Sequence, residues 1–117
     1  MIRLLLLSVL IIAPVSASAF ERVTEKGAFL TLISGKSLSN RLYGVTLQVT
    51  SDGSIAGDAL GWDITGAWNW QNGYFCRDMA WGGDPIGYNC QLVEAKGSEM
   101  RFTSDQGTGD SASFKLR

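Results

Sequence analysis

The sequence contains no histidine among its 117 residues. That excludes a Ser-His or Cys-His nucleophilic arrangement and removes the commonest metal-binding side chain. Cysteine is nearly as scarce. Cys76 and Cys90 are the only two, and they lack the Cys-x-x-Cys spacing of a redox centre. Two thiols without an imidazole make a poor metal site, so no metal is expected. No Gly-x-Gly-x-x-Gly stands between a strand and a helix, so no dinucleotide cofactor is expected either. There is no Gly-x-Ser-x-Gly elbow. The eleven Asp and Glu are scattered over turns, with no pair placed for glycosidase-type acid–base work. The 105–110 segment lacks the alternating acids and terminal Glu of a calcium loop. No catalytic residue can therefore be named. Runs of like charge are also missing, which argues against a nucleic-acid or anionic-membrane partner.

What is present begins with a leader. Arg3 precedes the apolar run Leu4 to Ala13, and Ala17-Ser18-Ala19 supplies small residues for cleavage, the three parts of a signal peptide. The run of about ten residues is shorter than the roughly 20 that a bilayer span needs, so no stable span is expected after cleavage. Cleavage after Ala19 leaves residues 20–117 as one small domain in the periplasm or outside the cell. Losing Arg3 leaves nine Lys or Arg against eleven Asp or Glu, a formal charge of −2. Small domains bury a small share of their surface and profit from a covalent staple. In an oxidising compartment the two cysteines are expected to form one disulfide, Cys76–Cys90.

Along the chain, Thr24 and Glu25 suit the start of a short helix, with Phe29, Leu32 and Ile33 on one face and Gly35 to stop it. A strand over the same residues is the competing reading. From Leu42 the period is two: Val45, Leu47 and Val49 alternate with Thr46, Gln48 and Thr50. Asp52-Gly53 makes a turn into Ser54–Asp58, where Gly57 marks a bulge or bend. Residues 60–63 read as a loop. Trp68 and Trp70 then share one strand face, Asn72-Gly73 is a hairpin turn, and Tyr74 and Cys76 alternate with Phe75 and Arg77 on the return. Residues 82–87 read as a loop rich in breakers. Strands are expected over 88–94, 100–103 and 113–117. Turns every 8–12 residues or so predict an all-β fold: an antiparallel meander, curled sheet or up-and-down barrel of about six to eight strands, with a short N-terminal helix.

Four tryptophans fall between positions 62 and 81. Trp68 and Trp70 fit a core or a concave binding face. Trp62 and Trp81 lie beside the expected loops and, with Arg77, Asp78 and Asp84, form the candidate binding surface. Aromatic and Arg side chains concentrate binding energy, and Arg77 offers a two-pronged donor for a carboxylate or phosphate. The reading is a secreted binding module for a protein, peptide, glycan or small ligand. The alternatives are an enzyme and a structural component of an envelope assembly.

Several stretches resemble a known group. They are Phe29-Leu-x-Leu-x-x-Gly-Lys-x-Leu38, Gly66-x-Trp-x-Trp-x-x-Gly-Tyr-Phe-Cys-Arg77, Cys90-Gln-x-Val93 and Arg101-Phe-Thr-Ser-Asp-x-Gly-Thr-Gly109. Together they look like a group of small exported proteins of Gram-negative bacteria, of unassigned function, whose members often carry the name dihydrodipicolinate reductase. The resemblance spans nearly all of the chain after the leader. It implies export, and the name implies an NAD(P)H-dependent reductase; it transfers no site residue.

Overall fold

The computed structural model describes residues 5–11 and 19–117. The leader expected over residues 1–19 therefore lies largely outside the described residues. Residues 5–11 carry no regular structure and are exposed. No described helix is long and apolar enough to cross a membrane.

The described chain runs β1 (Glu21–Arg22), α1 (Lys26–Ile33), β2 (Leu38–Asn40), β3 (Val45–Val49), β4 (Ser54–Ala59), β5 (Trp62–Gln71), β6 (Tyr74–Trp81), β7 (Asp84–Lys96), β8 (Glu99–Thr103), α2 (Ser104–Gly107) and β9 (Ser111–Leu116). From β2 to β9 each strand pairs antiparallel with the next, and β9 returns to β2 through Leu38↔Leu116 and Ser39↔Lys115. Eight strands thus close an up-and-down barrel, which leaves no free edge around the ring. The ninth strand, β1, is an extra. It pairs with β7 at Glu94 and Ala95, beyond the end of β6.

Alternation explains which side chains fill the barrel. Leu47 and Val49, Ile55, Ile64 and Trp68, Phe75, Val93, Met100 and Phe102, and Leu116 are buried from successive strands. Apart from Cys76 and Thr103, which are buried as well, their neighbours in sequence are half-buried or exposed, the period-two pattern of a sheet wet on one side. The β5–β6 turn sets the register of the longest hairpin. Asn72 (φ 52) and Gly73 (φ 82) both take the positive angles a type I′ turn demands. Gln71 then faces Tyr74, Trp70 faces Phe75 and Trp68 faces Arg77. Gly66 lies on the inner face of β5 where strands close tightly. A Cβ there would stand 2.5 Å from the Asp78 carbonyl oxygen.

One end of the barrel is plugged by α1. Phe29 is fully buried, with its ring centroid 5.3 Å from Trp68, 5.2 Å from Trp70 and 5.3 Å from Phe75. Such offset and edge-on pairs add to the hydrophobic gain of burying the rings. Both tryptophans are tied to the backbone through their indole N–H, Trp68 to the Thr50 carbonyl (2.9 Å) and Trp70 to that of Thr24 (3.0 Å). They are packing residues around the plug. Glu25, not Thr24, occupies the N-cap of α1, and no side chain caps the helix.

Two segments read as loops are paired strand. Trp62 and Asp63 open β5, which shrinks the expected 60–63 loop to the turn Leu60-Gly61. Likewise 82–87 contracts to a Gly82-Gly83 turn, because Asp84 and Pro85 pair with Trp81 and Ala80. A register slip between Met79 and Ala80 absorbs the misfit. Local breakers are overridden there by cross-strand partners. β1 and β2, too short to carry a pattern, were not expected from the sequence, and the 105–110 segment holds the single turn α2.

Candidate functional site

The barrel is not filled from end to end. Away from the α1 plug it holds a cavity of about 270 Å³ that opens to solvent beside Asp110, Ser111 and Ala112. Its apolar wall comes from Leu38, Leu47, Val49, Ile55 and Phe102, joined by Phe75 and Met79 of β6 and Phe114 of β9. Polar groups line it as well: Arg77, Gln91, Ser104, Asp110 and Ser111. Ser104 opens the α2 segment and Asp110 and Ser111 follow it; α2 is bound to β7 by Asn89. The Asn89 amide donates to the Asp105 carboxylate (2.8 Å), and its carbonyl oxygen accepts the Asp105 backbone N–H (3.0 Å). The Gln91 amide donates to the Ser104 hydroxyl (3.3 Å).

Arg77 is the unusual member of this lining. Phe75, Arg77 and Met79 share the inner face of β6, and Arg77 is only 8% exposed. Its Nη1 donates to the Gly87 carbonyl oxygen at 2.6 Å. Gly87 takes a left-handed conformation (φ 98) beside the register slip, so its carbonyl is available to a side chain. The buried Nε has no hydrogen-bond partner in the protein. The two ion pairs among the described residues, Arg101–Glu94 and Lys115–Glu99, lie elsewhere. Burial pushes the Arg77 pKa below its ordinary value, and the neighbouring Asp78 partly offsets that. The barrel thus holds a desolvated cation without a carboxylate partner, a costly arrangement in isolation.

The disulfide fixes this geometry. Cys76 and Cys90 face each other in register across β6 and β7, with Cα atoms 3.9 Å apart, and they are bonded. Cys76 immediately precedes Arg77. The bond therefore pins the strand that presents the guanidinium to the strand that carries Gly87.

The candidate surface residues divide. Trp62, Trp81 and Asp84 come together around Gly82 and line a shallow depression of about 250 Å³. Trp62 is 61% exposed, while Trp81 is held by an indole N–H bond to the Ala59 carbonyl (2.8 Å). Asp78 is exposed on the outer face of β6. Arg77, placed on a surface by the sequence reading, is instead inside the barrel. Sequence reasoning did not single out Gln91, Ser104 and Ser111. Nothing in their local pattern marks them: Gln91 faces inward only through its register with Phe75, and Ser104 and Ser111 reach the cavity only through barrel closure.

Comparison with protein-family models, curated proteins and solved structures finds no match to this chain.

Proposed function

We propose that this is an exported binding module whose barrel takes one small, largely apolar ligand in its interior. The observation that carries the reading is the apolar cavity of about 270 Å³ inside a closed, stapled barrel. A dry cavity of roughly 150 Å³ is enough to hold a molecule the size of benzene. Ligand sites characteristically combine an apolar wall with a few converging polar groups, as here. Export is supported by the N-terminal leader and by the Cys76–Cys90 bond, which suits an oxidising compartment. The resemblance to small exported proteins agrees with this reading, in which the partner is a small molecule.

The test is a titration of the domain with a neutral naphthylamine dye whose emission rises in apolar surroundings. Saturable one-to-one binding is expected. Ala112 lines the cavity and is itself exposed, so Ala112→Trp would place a ring in that space. That variant should keep its melting temperature and lose the dye. A folded wild-type protein that binds no dye, or an Ala112→Trp variant that binds it unchanged, would overturn the reading.

A further inference from the structure

We infer that Arg77 is an anion receptor, and that the ligand of the barrel is an apolar carboxylate whose head group meets this guanidinium while its hydrocarbon part lies against Leu47, Ile55 and Phe102. The inference rests on the proposed binding function and specifies its ligand class. Three observations support it. Arg77 lines the cavity and is more than nine-tenths buried. Its Nη1 is engaged by Gly87, while its Nε has no protein partner. No carboxylate of the described chain forms an ion pair with it.

The carboxylates nearest by position do not fill the role. Asp78 follows Arg77 in sequence and so points to the opposite face of β6, where it is exposed. Asp110 borders the cavity but is exposed and makes no ion pair with Arg77. An arginine with one terminal nitrogen anchored is held in a fixed plane. A guanidinium on the cavity wall with no protein carboxylate paired to it matches a ligand carboxylate. One guanidinium, with Asp110 also on the wall, suits a monoanion. A phosphate dianion would need further donors, and the other polar lining groups are uncharged amide and hydroxyl groups.

The experiment compares decanoate with decanol by calorimetry on the wild-type domain and on Arg77→Met. In the wild type decanoate should bind at least about tenfold more tightly, the effect of one charge-assisted hydrogen bond. In Arg77→Met the preference should vanish while decanol still binds. Equal binding of both ligands to the wild type would overturn the anion inference and leave the cavity reading standing. A carboxylate preference that survives in Arg77→Met would also overturn it. If neither ligand binds and the neutral dye does not bind, the proposed function itself fails. Should Arg77→Met not fold, the wild-type ratio alone decides.

Discussion

If Arg77 is kept for a ligand, the empty domain carries a charge it would be better without. Replacing it by methionine, Arg77→Met, should therefore raise stability. Nε is a buried donor with no partner, and an unsatisfied buried group costs about 1–3 kcal/mol. The substitution removes that cost and leaves an unbranched apolar side chain beside Phe75 and Met79. It also removes the Nη1 bond to Gly87, worth about 1.5–3 kcal/mol for a charged donor. Gly87 is exposed, so water replaces the lost donor and most of that loss is recovered. The lowered Arg77 pKa agrees in sign. The folded state is a poorer host for the cation than the unfolded chain, so deleting the charge favours folding. The expected gain is about 1 kcal/mol, or a Tm rise of roughly 4–8 °C for a domain of this size. Urea and thermal unfolding followed by tryptophan fluorescence would measure it. A loss of more than about 1 kcal/mol would show that the Gly87 bond makes Arg77 a net structural residue, and would remove the main ground for the anion inference.

The double variant Cys76→Ala/Cys90→Ala should lose about 3 kcal/mol, the entropic value for a loop near 15 residues; an unchanged urea midpoint in oxidising buffer would contradict this. Gly66→Ala should cost several times what an ordinary surface change costs, because its Cβ would meet the Asp78 carbonyl oxygen at 2.5 Å. Gly27→Ala, in α1 with nothing within 4 Å, should instead gain roughly 0.5–1 kcal/mol; equal effects would refute the close-packing account. Asp52 has a lowered pKa because Thr50 and Ser54 donate to its carboxylate. Its contribution is present above the ordinary aspartate value of 3.8 and is lost as pH falls through the lower folded value. Asp52→Asn should flatten stability over that acid window and leave it unaltered near neutrality in slope, as an acid-unfolding series would record.

The sequence carried the all-β architecture and the staple because both depend on local signals. Alternation in 45–49, Asn-Gly at 72–73 and a single pair of cysteines without Cys-x-x-Cys spacing each have one dominant physical outcome. Closure of the barrel did not show. β2 has three residues and β1 two, too few to display a period, and both exist because neighbouring strands supply partners. The 82–87 segment misled for the opposite reason. Its glycines and proline signal a loop, yet the Gly82-Gly83 turn uses only two of them, and the β6–β7 ladder extends through the rest.

The inward position of Arg77 was legible in principle. A two-residue Asn72-Gly73 turn forces Gln71 opposite Tyr74, and counting outward puts Trp68 opposite Arg77. Directly opposed residues share a face of a sheet. Once Trp68 and Trp70 are taken as inward, Arg77 must point inward too, and Cys76 must point out, where Cys90 meets it. Local composition hides this, because an arginine beside an aspartate reads as surface. The same register explains how the fold tolerates the charge. The covalent bond sits one residue away, and its gain of about 3 kcal/mol is of the size that an unpartnered buried donor costs. In a domain of marginal stability the staple offsets the cation it adjoins, so the disulfide supports the site as well as the fold.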